Sequence, residues 1–235
     1  MNTTANSELI EPESAEFTVA PPAPNFDHLA KVYRWMEIFT FGPFLALCRK
    51  AFLPELVTAR RALVLGDGDG RFTNELLREN SQVQIDALDA SSAMLDALLR
   101  RTEANRRRVS VHCADAREWQ PERATYDLVV THFFLDCLTT DECRRLAARL
   151  WSAVSPSAVW VVSEFAVPDG RFGRLVAHPL IGLLYRAFGV LTGLRIRSLP
   201  DHHAALREAG FALERRRTRL CGLLVSEMWT PRPEA

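Results

Sequence analysis

From residue 61 onward the chain alternates two hydrophobic rhythms. Apolar runs at 61–66, 83–88, 108–113, 126–132 and 157–164 have the length of strands, and 70–79, 92–103 and 140–153 read as the helices between them. Near-continuous apolar stretches such as Leu128-Val129-Val130 mark strands buried on both faces, hence a parallel sheet. Strand–helix alternation then implies right-handed crossovers with helices on both sides. Past Glu164-Phe165 the rhythm changes. Residues 171–194 are strongly apolar, but His178, Pro179 and Arg186 interrupt the run, which argues against a membrane span and for an inserted helix. Leu199-Pro200-Asp201 caps a helix over about 201–209, Gly210 ends it, and strands near 211–219 and 222–229 complete a sheet of seven, the last antiparallel.

Upstream, residues 1–24 are polar, acidic and end in Pro21-Pro22-Ala23-Pro24, the composition of a disordered or loosely docked tail. Residues 25–57 are apolar and aromatic. Leu29, Val32, Trp35, Met36 and Phe39 recur at helical spacing, and Gly42-Pro43 divides the segment into two helices. This pair either packs on the sheet or forms a lid over its rim; one helix pair can do both. The expected main domain runs over 58–235, with 171–194 as its apolar insert. The fold class is α/β: a Rossmann-like, seven-stranded, mostly parallel sheet with helices on both faces, an N-terminal helical lid and an inserted helix before the last strands.

The candidate chemistry gathers where strands end. Ala62-Leu63-Val64-Leu65 runs into Gly66-Asp67-Gly68-Asp69-Gly70, a tight strand–turn–helix whose backbone N–H groups face a ligand. About twenty residues on, the next strand ends in Asp89, where a carboxylate can accept hydrogen bonds from a ribose diol. Dinucleotide sites use G-x-G-x-x-G; here the spacing is G-x-G-x-G and two carboxylates stand in the turn, which suits a zwitterionic or cationic ligand better than a pyrophosphate. Gly66, Asp89, Asp115 and Thr131-His132 all fall at the carboxyl ends of predicted strands, so the fold brings them to one rim.

On these residues the chain resembles the class I S-adenosylmethionine-dependent methyltransferases. Leu63 to Gly70 looks like their first motif, and Asp89-Ala90-Ser91-Ser92-Ala93-Met94-Leu95 like the second. Ala114-Asp115-Ala116 resembles the adenine-side acidic motif, and Tyr126 to Phe133 the fourth-strand motif. The resemblance spans residues 60–165. It implies S-adenosylmethionine as cofactor, S-adenosylhomocysteine as product, and a cofactor site of Tyr33, Gly66, Asp67, Gly68, Gly70, Asp89, Ala90, Met94, Asp115, Ala116, Thr131 and His132. The family usually has an acid two residues before the first glycine; Val64 stands there, and Asp67 is the candidate to supply the charge. The N-terminal helices of such proteins cap the site.

Methyl transfer from a sulfonium is an in-line displacement, so a base is optional. His132 and Asp136 are the candidate catalytic residues; His132 is equally a wall residue and Asp136 equally a helix cap. Phe133, Phe134, Phe165 and Tyr185 are expected to line a pocket for a small hydrophobic acceptor. The Asn/Asp-Pro-Pro-aromatic motif that the family's amide methylases place here is missing, which speaks against adenine or glutamine methylation. Ser163-Glu164-Phe165 and the apolar insert are similar to quinone-type C-methyltransferases. A non-catalytic scaffold of the same fold and a nucleotide-dependent oxidoreductase are the competing readings.

Composition narrows this further. Across 235 residues the formal net charge is zero, which argues against a nucleic-acid partner. Arg106-Arg107-Arg108 and Arg215-Arg216-Arg217 read as solvated element ends. Cys48, Cys113, Cys137, Cys143 and Cys221 are odd in number and lack C-x-x-C spacing, which points to reduced thiols in a cytoplasmic protein with no zinc site. Peripheral membrane contact through 171–194 stays open as a third role for that segment.

Overall fold

A computed structural model of the chain describes residues 42–123, 125–168, 170–182 and 199–232. Seven strands form one sheet in the order β3-β2-β1-β4-β5-β7-β6. They are β1 (Arg61–Leu65), β2 (Gln84–Asp89), β3 (Val109–Cys113), β4 (Tyr126–His132), β5 (Val154–Phe165), β6 (Phe211–Arg219) and β7 (Leu224–Pro231). The helices used below are α1 (Gly42–Arg49), α2 (Arg71–Glu79), α3 (Ser92–Arg101), α4 (Thr140–Ala153) and α5 (His202–Glu208). β1 pairs in parallel with β2 and β4, and β4 with β5, while β7 runs antiparallel to both β5 and β6. Strand order reverses between β1 and β4, the place where open α/β sheets bind ligands.

Alternate residues of the central strands fill two separate cores. Leu63, Leu65, Val129, Trp160, Val162 and Trp229 pack with Leu146, Leu150 and Leu206 from α4 and α5. Ala62, Val64, Val130, Val161 and Met228 face Phe52, Phe72, Leu76 and Leu98 on the other side. Both faces being covered is why β1 and β4 read as unbroken apolar runs.

The helix starts have side-chain caps at α3, α4 and α5. Ser91 accepts from the Met94 N–H at the start of α3, and Asp201 from the Ala204 N–H at the start of α5. Thr139 and Glu142 form a capping box on α4. Asp136 therefore does not cap α4; it lies upstream in the short turn Leu135–Cys137. β5 begins at Val154, three residues earlier than its apolar run, because Val154 pairs with Tyr126 before the register shifts around the polar Ser155-Pro156-Ser157. β7 begins late because Leu220–Gly222 forms a tight turn with positive φ at each residue.

Of the expected N-terminal helix pair, α1 is described. Leu45 and Cys48 pack on Phe133 and Leu224, and the Cys48 carbonyl accepts from the Ser163 and Ser226 hydroxyls. Residues 1–41, with the tail, the first expected helix and Tyr33, lie outside the described residues, as do 183–198 with Tyr185. The start of the insert is helical and turns through a wider π segment over Gly173–Ala177, whose Ala177 packs with Ile181 and Leu223. No helix among the described residues is long and apolar enough to cross a membrane.

Candidate active site

The turn after β1 closes on two of its glycines and opens at the third. Gly66, Gly68 and Gly70 all have φ between +59° and +77°, a region L side chains rarely adopt. A Cβ on Gly66 would run into the Phe134 ring, and one on Gly70 would lie 2.9 Å from the Leu98 backbone. At Gly68 the nearest atom would be the Met94 sulfur at 3.8 Å. Space beside Gly68 is thus available to a ligand.

The turn's two acids are engaged within the protein. Asp67 accepts from the Phe72 N–H at 3.2 Å and the Thr73 N–H at 2.8 Å, so it holds the first turn of α2 against the loop. Burial pushes its pKa above the ordinary value, opposed by those N–H groups and by the Arg49 charge. Its charge is spent on the helix N-terminus, which limits the role expected of it in place of Val64. Asp69 pairs with Arg101 at 2.7 Å and with Arg71.

Asp89 ends β2 facing this opening. It accepts from the Ser91 N–H at 2.9 Å. Burial raises its pKa, while the N–H groups of Ser91, Gly68 and Ala90 draw it back down. Asp89, Gly68 and Met94 therefore adjoin one another, and Ala90 is exposed beside them. Asp115 follows β3 on the same rim, where the Ala114 N–H bonds the Asp89 carbonyl. Arg117 grips Asp115 through both carboxylate oxygens and holds its pKa below the ordinary value. Ala116 is buried, and its carbonyl accepts from Arg149.

β4 delivers side chains to opposite faces. Thr131 turns into the core, where its hydroxyl accepts from the Trp160 indole at 3.0 Å; only its backbone stands at the rim. The two-residue period of the strand imposes this, so the Thr131 side chain is turned away from the rim. His132 faces the other way, 4% exposed, its ring edge-on to Phe72 with centroids 4.6 Å apart. Neither ring nitrogen has a hydrogen-bond partner. Burial, and then the Arg49 charge, hold its pKa well below the ordinary histidine value, so the ring is neutral. Phe133 adopts φ +54°; its ring lies 5.4 Å from Phe165 and takes the Arg49 guanidinium over its face at 5.5 Å.

Two groups at the rim were not singled out for chemistry by sequence. Arg49 reaches it from α1, and nothing in the pattern of that helix announces its direction. Glu164, 1% exposed, sits near the end of β5, and the strand-end rule that picked Asp89 would also have picked it. Away from the rim, His202, His203 and Glu227 place metal-ligating atoms within 4.8 Å of one another.

A family model described as a methyltransferase domain matches residues 62–157. Malonyl-[acyl-carrier protein] O-methyltransferase of Halorhodospira halophila is 28% identical over 166 residues, covering 67% of this chain and 50% of that protein. Among solved structures, an O-methyltransferase family protein from Burkholderia thailandensis superposes with a TM-score of 0.66 at 15% identity, over 88% of this chain and 60% of that one. The S-adenosylmethionine-dependent methyltransferase SibL gives 0.66 at 22% identity, over 92% and 64%. This chain thus spans half to two thirds of the length of these relatives. Fold, rim and motif order define a class I methyltransferase domain. Residues 62–157 thus carry a methyltransferase domain, and the homologue and the structural neighbours support a class I S-adenosylmethionine-dependent methyltransferase.

Proposed function

We propose that the protein transfers a methyl group from S-adenosylmethionine to a small hydrophobic acceptor. The observation that carries this reading is the open flank of Gly68 lying against the Asp89 carboxylate and Met94. There Asp89 would take the ribose hydroxyls, with Ala90 and Met94 beside the nucleoside, Asp115 and Ala116 toward the adenine, and the backbone of Gly66, Gly70 and Thr131 lining the turn. Bound cofactor supplies an activated methyl on sulfur; the chain's task is to align the acceptor and exclude water. Phe133, Phe134 and Phe165 supply an apolar wall, and α1, as part of a lid, covers Phe133.

His132 is neutral and has an unused ring nitrogen, so it can take a proton from an acceptor hydroxyl or acidic carbon. An anionic acceptor is the second reading. A carboxylate needs no base, the Arg49 charge acts on the His132 neighbourhood, and the Halorhodospira relative is named for O-methylation of a malonyl carrier.

Calorimetric titration tests the cofactor site. S-adenosylhomocysteine should bind and NAD should not, and Asp89→Ala should weaken binding by about 1–3 kcal/mol; unchanged affinity in that variant removes Asp89 from the ribose role. Turnover with phenolic, acidic-carbon and carboxylate acceptors, read as S-adenosylhomocysteine formed, separates the two acceptor readings.

A further inference from the structure

The loop that joins β4 to α4 starts after His132, carries Phe133, Phe134 and Asp136, and folds around one side chain. Glu164 Oε1 accepts from the Phe134 N–H at 3.1 Å and the Leu135 N–H at 2.7 Å. The Asp136 N–H also bonds this carboxyl, so three successive N–H groups converge on it. The same loop is pinned by the Phe133 N–H on the Ser163 carbonyl at 2.7 Å, and Phe133 holds a positive φ. Phe134 in turn covers Gly66. Glu164 thus links β5, the loop and the turn beside the cofactor site.

The second oxygen, Oε2, is shut off from solvent and has no hydrogen-bond partner. A carboxylate with one oxygen stranded in the interior is costly; a carboxylic acid is far less so. The titratable groups facing it are of the same kind. Asp136 and Cys137 come from the loop, Cys143 comes from α4, and Asp89 lies beyond Cys137. Burial first, and then the Asp136 charge, push Glu164 well above the ordinary carboxyl range, more than the loop N–H groups pull it down.

We propose that Glu164 is a positioning residue that works as a neutral acid, templating the Phe133–Cys137 turn without adding a second charge beside Asp136. The loop then carries a single negative charge beside the acceptor wall. Ionising Glu164 would set two like charges around one short turn and loosen it.

The test needs neither cofactor nor acceptor, so it succeeds or fails independently of the methyl-transfer reading. Infrared spectra of the full chain at neutral pH should show a protonated-carboxyl stretch that Glu164→Gln lacks. Glutamine keeps the accepting oxygen and is neutral, so amide-exchange protection at Phe134 and Leu135 should survive in Glu164→Gln. It should fall about tenfold or more in Glu164→Ala, as for a lost buried hydrogen bond. With rising pH the protection factors should drop in the wild type and stay level in Glu164→Gln. No protonated band at neutral pH, or a Gln variant as exposed at these amides as the Ala variant, overturns the proposal. Should the Ala variant fail to fold, the band and the Gln pH profile decide alone.

Discussion

Two buried glutamates on adjacent strands meet opposite fates. Glu164 on β5 and Glu227 on β7 are 1% and 0% exposed; Glu164 lies opposite Val225 and Glu227 opposite Val162, with the Ser163–Ser226 pair between them. Glu227 is surrounded by donors. His203 Nε2 lies 2.7 Å and Arg216 Nε 3.3 Å from Oε1; His202 Nε2 lies 3.2 Å and the Trp229 indole 3.1 Å from Oε2. Burial acts to raise its pKa, but the histidine bonds overcome that and hold it down at about 2. Glu164 has backbone N–H groups on one oxygen, nothing on the other, and a like charge alongside. Burial depth is the same; the number and sign of the neighbours decide protonation. The saturated glutamate ties α5 to the sheet, away from the rim. The half-saturated one stands at the rim, where a reserve of unspent polarity is useful. The donors on Glu227 also explain why a trio with metal-ligating atoms is complete as it stands: Arg216 and Trp229 already occupy its carboxylate.

Glu227→Ala strands two histidines, an indole and a guanidinium, and should lose about 3–5 kcal/mol in urea denaturation. Acid should reach the same site. A carboxyl held at about 2 against an ordinary 4.5 stabilises the fold above the unfolded value, so stability should fall as pH drops from 4.5 toward 2, by about 3 kcal/mol in all. Glu227→Gln should flatten that slope. Gly70→Ala, with φ +77° and the Leu98 backbone 2.9 Å from its new Cβ, should cost about 1–3 kcal/mol through strain and overpacking, seen as a lower midpoint. Asp67→Asn, which leaves one acceptor for two helix N–H groups, should cost about 0.5–2 kcal/mol.

Glu164→Gln should be the mildest, within about 1 kcal/mol, and its pH dependence has the opposite sign. A carboxyl raised in the fold contributes stability below its unfolded pKa and loses it as pH rises through the folded value. The wild type should therefore weaken with rising pH over that window while the Gln variant does not. Equal losses in Glu227→Gln and Glu164→Gln would erase the distinction.

Most of the sheet was readable in advance. β1, β2, β3 and β4 lie within a residue of their apolar runs; for β1 and β4 the reason is that strands covered on both faces leave no polar alternation to blur their ends. α4 starts where its apolar period starts, with Thr139 and Glu142 as a local cap. β5 was misjudged at its start, since Ser155-Pro156-Ser157 reads as a turn while the Tyr126–Val154 pairing carries the strand through it. At the rim, the neighbourhood of Gly68, Asp89 and Asp115 followed from position at strand ends. The task of Asp67, the inward turn of Thr131 and the part played by Glu164 did not. Each depends on which backbone N–H or indole lies opposite, and that partner is far away in the chain or set by a local dihedral.

The residue order alone determined the parallel core, the open turn of three glycines and the acids gathered along one edge. These are consequences of period and chain direction, which neighbouring residues dictate. The tertiary structure alone decided which acids are charged and which way the strand-end side chains point. Charge in an interior is a balance between lost water and the donors that replace it, and those donors arrive from elements that meet only when the sheet has closed.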